Sequence, residues 1–439
     1  MMLIRRARSW FGALCALAIL AVPAILVGCS FESGGFIVTL PAHVRFFNVM
    51  IGGGTIDVTI SKNNVINNLP FEGLTGYQNI DAGLNEVKIS VAGGDATILD
   101  TTTLFIDDSS STFLIYGTSS APAAQQVSDV LVNPPGENQF LLRVTNAAYG
   151  SAGLDVYVTL PGVALDNLSP NVSNAGYGAI TTFTLFTPAT YQVRMTLPNT
   201  KQVIYDGGTF AFAERTTYSL IAYTRGSGVL VNAALLVLDT SGTGAIANSR
   251  IAQVKVVNAA PGTSPVNAYV DGNVAFANIP FQGASSYELL SAGTHTVAFE
   301  AMTSPGAIIA STQAPFVAAT DTSVIVTGTP GAQTAVTLND NNLPGTPGNA
   351  RVRFVNMAPN VGPVDVYVNF ALRAANVDTN TASAYIELPE NAYSVSFDVA
   401  GTTSILLTLP SVSVTSGNTF SLYLMGTTGQ LSGVLTRDD

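Results

Sequence analysis

Short runs in which apolar and polar residues alternate extend along most of the chain. In residues 295–300, for example, Val297 and Phe299 alternate with polar or small neighbours, so both would face a core. Such runs are rich in Val, Ile, Thr, Phe and Tyr, and turns such as Asp-Gly-Asn at 271–273 separate them. Helical periodicity is nearly absent, and the pattern therefore predicts short β-strands.

The pattern occurs four times along the chain. Each copy opens with a strand that ends in Asn, has a basic residue three positions before that Asn, and contains a second apolar block about nine positions after it. The same offsets in all four copies indicate internal repetition. The four Asn residues, 98, 112 and 98 positions apart, are Asn48, Asn146, Asn258 and Asn356.

A period of about 100 residues is the size of a domain rather than of a solenoid unit. About seven short strands per hundred residues are typical of a two-sheet sandwich of immunoglobulin-like type. The sequence therefore predicts an all-β chain of tandem sandwiches, joined by short linkers that permit bending but little tumbling. The predicted repeats are 41–134, 138–240, 250–340 and 350–439. In the third, strands are predicted at 252–257, 266–271, 286–290, 294–300, 307–310, 322–328 and 333–338.

Residues 1–28 have the features of an export signal. Three Arg residues precede an apolar stretch that ends in Leu-Val-Gly-Cys at 26–29, which resembles a bacterial lipobox. Cys29 would then be lipidated and become the mature N-terminus, with 29–40 as the lipidated segment and tether. A single transmembrane anchor is the alternative, because the apolar run is about long enough to span a bilayer.

The residue after the cysteine bears on localisation. It is Ser30 rather than the Asp that retains lipoproteins at the inner membrane of enteric bacteria, and this resemblance points to the outer membrane. We therefore expect a lipid-anchored protein of the bacterial outer membrane, facing the periplasm or the cell surface.

Composition narrows the classes of function. The net charge of −11 argues against nucleic acid as a partner, because phosphate binding requires clustered Lys and Arg. Without residues 1–28, which hold three Arg and no acid, the formal charge is 14 − 28 = −14. Hydrophobic residues at 47% exclude a disordered protein. The two His residues, His43 and His295, lie in different copies and have no His or Cys neighbour, so no metal site, cofactor or catalytic triad is expected.

The third and fourth copies resemble a known family. The opening segments 256–262 and 354–360 and the following segments 266–272 and 364–368 are similar to a bacterial extracytoplasmic family catalogued as domain of unknown function 4397. The resemblance implies a β-sandwich in exported or surface proteins and supplies no catalytic residues. The chain has Asn where many members have His, the first copy departs most, and the second carries an insertion near Pro170–Tyr177.

The recurring basic and acidic residues form one candidate constellation. If the two shared blocks of a copy form a hairpin, base and acid lie opposite each other as a cross-strand ion pair; a ligand site is the alternative. The bases are Arg45, Arg143, Lys255 and Arg353. The acids are Asp57, Asp155 and Asp365, with Asn267 as the exception.

Two further residue types recur. The Asn at each strand end is expected to hydrogen-bond loop backbone as an Asx turn. The tyrosines are expected to be core residues whose hydroxyls bond to backbone, with a sugar-stacking platform as the alternative. These tyrosines are Tyr157, Tyr269, Tyr367, Tyr287 and Tyr385.

Calcium is the remaining ion to consider. Oxygen ligands occur in loops at Asp107-Asp108, at Asp239 and at residues 340–342, but none matches a twelve-residue calcium loop. Solvated turns are the simpler interpretation.

These features predict a non-enzymatic lipoprotein whose sandwiches form a stalk for binding, adhesion or envelope scaffolding. Its partners would be the membrane, through the lipid, and a protein or glycan ligand that contacts loops at the domain ends, such as the insertion near 170–177. A carbohydrate-binding or carbohydrate-hydrolysing envelope protein is the alternative.

Overall fold

The computed structural model describes residues 39–438, apart from 95, 131–132, 227–229 and 347. The predicted signal peptide, Cys29 and nearly all of the tether lie outside the described residues. Thr39–Asp439 forms one compact unit. Within the described part, no helix is long and apolar enough to cross a membrane.

Every regular element described is a β-strand, as the alternating pattern predicts. The first repeat contains β1 (Ala42–Asn48), β2 (Ile56–Ile60), β3 (Asn63–Leu69), β4 (Gly73–Leu74), β5 (Gln78–Ile80), β6 (Gly83–Val91), β7 (Thr97–Phe105), β8 (Ser110–Thr118) and β9 (Ala121–Ser128). The second contains β10 (Phe140–Ala147), β11 (Leu154–Thr159), β12 (Val172–Ala175), β13 (Thr184–Phe186), β14 (Thr190–Thr196), β15 (Val203–Ala211), β16 (Thr216–Thr224), β17 (Val231–Val237) and β18 (Gly244–Ala247).

The other two repeats follow the same order. The third contains β19 (Ile251–Asn258), β20 (Val266–Val270), β21 (Asn273–Ile279), β22 (Glu288–Ser291), β23 (Gly293–Ala301), β24 (Ile308–Phe316), β25 (Asp321–Thr327) and β26 (Thr334–Asp340). The fourth contains β27 (Asn349–Asn356), β28 (Val364–Val368), β29 (Ala371–Val377), β30 (Thr381–Ala382), β31 (Ile386–Pro389), β32 (Asn391–Val399), β33 (Ile405–Val414), β34 (Thr419–Thr427) and β35 (Gln430–Arg437).

Each repeat consists of two sheets, which confirms the all-β sandwich prediction. The sheet that contains the first strand of a repeat is called here its opening sheet, with strand order β22-β19-β25-β26 in repeat 3. The other is its second sheet, with order β21-β20-β23-β24. The third repeat contains one strand that the sequence reading missed, β21, which follows the 271–272 turn and pairs with β20 through two irregularities of register.

A hydrophobic core lies between the two sheets of every repeat. In repeat 4 the core is built from Phe354 and Leu422 of the opening sheet and Val366 and Phe397 of the second sheet, all almost fully buried. The other three repeats have corresponding clusters. Burial of this apolar surface is the main favourable contribution to folding.

The opening sheets are also buried on their other face, because the repeats pack in pairs. Phe47, Leu114, Ile221 and Tyr223 join repeats 1 and 2 in one cluster, called here the first seam. The second seam joins repeats 3 and 4 through Val257, Ile325, Val355, Met357, Tyr423 and Met425. The linkers were expected to permit bending, but within each pair the buried sheet faces hold the repeats together.

Candidate functional site

The four recurring bases lie in the seams rather than on an exposed hairpin. In the first seam, Arg45 Nη2 lies 3.1 Å from Asp129 Oδ2, and Arg143 Nη2 lies 3.0 Å from Asp129 Oδ1. Each Nε atom donates to a hydroxyl on the neighbouring parallel strand, Thr112 at 2.8 Å and Ser219 at 3.1 Å. One buried carboxylate therefore bridges the basic residues of two repeats.

In the second seam, each ion pair joins a cation of one repeat to a carboxylate of the other. Arg353 of repeat 4 bonds to Asp340 of repeat 3, and Lys255 of repeat 3 bonds to Asp438 of repeat 4. Ser323 donates to Asp340 at 2.6 Å. Two cations are thus matched by two carboxylates, whereas in the first seam two cations share one.

An aromatic ring lies against the base in each copy. The hydroxyls of Tyr77, Tyr287 and Tyr385 donate to the seam carboxylates Asp129, Asp340 and Asp438 at 2.9, 2.6 and 3.0 Å. The prediction that tyrosine hydroxyls bond to backbone was therefore wrong for Tyr287 and Tyr385. The cations lie 4.9–5.1 Å from these ring centroids, in a favourable cation–π arrangement.

Repeat 2 differs at the position of the tyrosine and at the position of the seam carboxylate. Phe183 lies beneath Arg143, with its ring centroid 5.0 Å away, where the other copies have tyrosine. Leu238 occupies the position of the seam carboxylate: its N–H donates to Thr217 O, just as that of Asp438 donates to Thr419 O. The first seam therefore has a buried excess of positive charge among the described residues.

The electrostatics of the seams favour permanently charged groups. Burial alone would lower the pKa of Arg353, but Asp340 and Asp438 more than reverse this effect and hold it above its ordinary value. Burial opposes ionisation of Asp340 too, yet Arg353 and Lys255 keep its pKa below the ordinary value. In the first seam, burial lowers the pKa of Arg143, against the attraction of Asp129. Such groups hold sheets together and are poorly suited to proton transfer near neutral pH.

Asp129 and Asp438 were not among the predicted site residues, and Asp340 was considered only as a loop calcium ligand, whereas it ends β26 and is buried in the seam. The three seam acids lie 81, 82 and 82 residues after the Asn that ends the opening strand, and this recurring offset is a signal that could have found them. The acids that the sequence reading chose belong elsewhere: the opening strand and the second block lie in different sheets, so the predicted cross-strand pair was wrong.

The acids of the second block bind backbone. In repeat 4, Asp365 Oδ1 accepts a hydrogen bond from Asn376 N and Oδ2 accepts one from Gly401 N, both at 2.8 Å. The Asn residue is in the left-handed region, with φ +53°. Asp57 with Asn68, Asp155 with Asn174 and Asn267 with Asn278 repeat this arrangement. The acid therefore stabilises the strand irregularity after the hairpin.

The Asx-turn prediction for the recurring Asn is confirmed. The Oδ1 of Asn48, Asn146, Asn258 and Asn356 accepts a hydrogen bond from the N–H two residues later, at 2.9–3.3 Å. All four side chains are fully buried. The Nδ2 of Asn356 also donates to Gly362 O and Val377 O, at 2.9 and 3.1 Å.

The remaining recurring tyrosines lie on the outer faces of the second sheets. Tyr157 is buried beneath Lys201, whose Nζ donates to its hydroxyl at 2.8 Å. A hydrogen bond with Glu300 raises the pKa of Tyr269. Tyr367 is half-buried and lines a groove with Phe370. Of these three, only Tyr157 is buried, and it lies outside the core cluster with its hydroxyl bonded to Lys201 rather than to backbone, so the core prediction was wrong for all three.

The other candidates are dispersed. His43 Nδ1 lies 2.9 Å from Asn79 Oδ1, and His295 Nδ1 lies 2.7 Å from Asp271 Oδ2. Asp107 and Asp108 are exposed in a turn. The described residues contain no cluster of three His, Cys, Asp or Glu suited to a metal ion.

Two other predicted loop sites have structural roles. Asp239 Oδ1 accepts a hydrogen bond from Ser241 N at 2.9 Å, which closes its own turn. Tyr177, in the insertion favoured as a ligand contact, stacks edge-on against Tyr116 of repeat 1, with ring centroids 5.4 Å apart. The insertion therefore contributes to the contact between repeats 1 and 2.

Comparisons with known proteins give one family. The family model described as "Domain of unknown function (DUF4397)" matches residues 42–157, 252–367 and 356–439. No curated protein matches the chain.

Several solved structures have weak similarity. The family CBM26 module CBMbc of Eubacterium rectale Amy13K, in complex with maltoheptaose, is 7% identical, with 44% of this chain and 94% of that chain covered and a TM-score of 0.16. The Bacillus anthracis TIE protein is 9% identical, with 84% and 65% covered and a TM-score of 0.16. The major pilin subunit BcpA* of Bacillus cereus is 9% identical, with 65% and 99% covered and a TM-score of 0.14. At these scores, no functional argument rests on them.

Proposed function

The chain belongs to the DUF4397 family, and we propose that it is a non-enzymatic envelope lipoprotein, whose paired β-sandwiches form a scaffold or stalk that is anchored through lipid on Cys29. The observation that carries the proposal is the pair of seams. A buried salt bridge that loses one partner is strongly destabilising, so each seam fixes two repeats in one arrangement. Fixed spacing is what a scaffold requires, whereas a catalytic site requires no repetition.

The anchor rests on the sequence pattern at 26–29, and the outer-membrane location on Ser30. A lipid on Cys29 would bring the repeats to the membrane surface, and two acyl chains suffice for stable attachment. Adhesion and envelope scaffolding are the two roles that such an arrangement serves.

The test follows the chain in cells of a lipoprotein-processing bacterium. The full chain carries an epitope tag after Asp439, and cells are fractionated and treated with protease before and after the outer membrane is opened. We expect the tag in the membrane fraction, on a chain that is cleaved before Cys29 and labelled by radioactive palmitate, and Cys29→Ser should lose both the cleavage and the label. A parent chain that is membrane-bound but uncleaved and unlabelled would contradict the lipid anchor and favour a transmembrane segment.

Protease accessibility then separates the two roles. Cleavage of the tag in intact cells supports a surface stalk, and a deletion strain should then lose adhesion. Protection until the outer membrane is opened supports a periplasmic scaffold and excludes adhesion.

A further inference from the structure

The turn between β28 and β29 carries an aromatic ring in a costly backbone conformation. Asn369 and Phe370 have φ values of +48° and +67°, and the Phe370 side chain is 93% exposed. The corresponding turn of repeat 3 is Asp271-Gly272, the preferred chemistry for a turn of this kind. A bulky residue with positive φ is unusual, and here its ring has no core to fill, so folding does not explain it.

Phe370 borders a groove on the outer face of the second sheet. The groove is a cavity of about 170 Å³. Phe370, Tyr367 and Ile405 provide its apolar walls, and Ile405 is 61% exposed. Ser396 pairs with Tyr367 on one side and Thr408 on the other, which places two hydroxyl-bearing residues in register with the tyrosine.

The acidic residue Asp398 lines the same groove. The Asp398 side chain is 8% exposed, and its Oδ1 has no hydrogen-bond partner among the described residues. Its register partner, Asp365, uses both oxygens for backbone N–H groups. A buried acceptor that lacks a donor is destabilising, so a rotation of the carboxyl group that brings this oxygen to the groove would let a ligand hydroxyl supply the donor.

The described residues of the other repeats lack this combination. Repeat 1 has Thr59 at the position of the tyrosine. In repeat 2, Lys201 lies over the ring of Tyr157 and donates to its hydroxyl and to Leu168 O. In repeat 3, Glu300 occupies the position of Asp398 and bonds to Tyr269, and Gly272 replaces Phe370.

We propose that the groove of repeat 4 binds a neutral saccharide. Aromatic rings present flat apolar faces that suit the C–H faces of a sugar ring, while Asp398 and the hydroxyls offer hydrogen bonds to its hydroxyl groups. Concave apolar sites with a few oriented polar groups are typical ligand sites. Asp398 disfavours an anionic ligand. The inference is independent of the lipid anchor and extends the proposed function.

The test measures retention of the full chain by neutral polysaccharides. Starch, dextran, mannan, xylan and mixed-linkage glucan are each embedded in native gels, with polygalacturonate as a charged control. At least one neutral glycan should retard the protein. The variant Phe370→Gly should weaken retention about tenfold or more, since loss of one stacking ring is of this order. Asp398→Asn should weaken it as well.

Matched variants in repeat 3 provide the control. Tyr367→Ala should reduce retention and Tyr269→Ala should not. Phe370→Gly restores the preferred Asn-Gly turn, so its melting temperature should equal or exceed that of the parent chain, which separates lost binding from lost folding. Absence of retention by every neutral glycan, or equal retention by Phe370→Gly, would overturn the proposal.

Discussion

At the level of single residues, the position that most distinguishes the four copies is the seam acid. Asp129, Asp340 and Asp438 are each almost completely buried against cations and tyrosine hydroxyls. Leu238 stands at this position in repeat 2, and Asp129 alone therefore serves both arginines of the first seam. Both arginines of the first seam are therefore paired, although this seam has one carboxylate where the second seam has two.

Restoring the missing acid should be well tolerated. Leu238→Asp would place a carboxylate beside two buried arginines, and we expect a stability change below about 1 kcal/mol at neutral pH, because the new charge is paired. Leu236→Asp, in the same seam but without this role, should cost more than about 4 kcal/mol, since an unpaired charge would be buried. Urea denaturation of both variants measures this difference. Equal losses of unfolding free energy would contradict a buried excess of positive charge in the first seam.

Asp321 makes stability depend on pH. Burial, followed by the charge of Asp340, raises its pKa from 3.8 to about 7, against the opposing effects of Arg225, Lys255 and the Asn342 side chain. Its Oδ1 has no hydrogen-bond partner in the described chain. Because the folded state holds this proton more tightly than the unfolded state, the contribution to stability is complete below about pH 4 and is lost as pH rises through about 7.

The variant Asp321→Asn should remove this dependence. Its stability relative to the parent chain should increase from pH 4 to pH 8 by as much as about 4 kcal/mol, the equivalent of three pKa units. Urea denaturation at several pH values measures the difference. A difference that stays constant across this range would show that Asp321 does not titrate as described.

At the level of elements, the same two devices shape every repeat. The buried Asn at the end of the opening strand ties the loop that leads to the second sheet, and the second-block acid ties the irregular strand that follows the hairpin. Both are local, and both occur at the same offsets in copies that otherwise diverge. This conservation of spacing within one chain explains why the repeat could be recognised.

Substitution at Asn356 should show how much one such device contributes. Asn356→Ala leaves Gly362 O, Val377 O and Ala358 N without their buried partner and should cost about 2–4 kcal/mol. Asn356→Asp keeps the acceptor but loses both donors, so it should be at least as damaging. Asn391→Ala, at an exposed strand start, should change the free energy of unfolding by less than about 0.5 kcal/mol. A tolerated Asn356→Asp would contradict the role of the donors.

At the level of the whole molecule, we expect the pair of repeats to be the cooperative unit. Lys255 with Asp438 and Arg353 with Asp340 cross the second seam in opposite directions, and Val355, Met357 and Met425 are fully buried there. A repeat taken alone would expose this apolar face, and large exposed apolar patches favour association.

Fragments provide the test of this unit. The fragment 250–439 should be monomeric and unfold in one transition, because both halves of the seam are present. The fragment 350–439 should be less stable and should self-associate. Denaturation with light scattering distinguishes these outcomes, and a monomeric 350–439 of equal stability would exclude the pair as the cooperative unit.

The sequence by itself determined most of the strands, the fourfold repeat, the sandwich class and the Asx turns, because alternation, turn residues and fixed offsets are local properties of the chain. The family resemblance drew on the same segments and is confirmed by the match. One signal of the seams was also present: residues 251–257 have apolar residues on both faces apart from Gln253 and Lys255, as in strands that are buried on both sides.

Only the tertiary structure decided which charged side chains form ion pairs and which aromatic side chains remain exposed to solvent. The partner of Lys255 lies 183 residues away, and nothing in the spacing within one repeat identifies an acid in the next. The exposure of Phe370 likewise depends on what covers the outer face of each second sheet, since Lys201 covers the corresponding surface of repeat 2 at Tyr157. Packing between elements that are distant in sequence sets these contacts, and local pattern does not encode it.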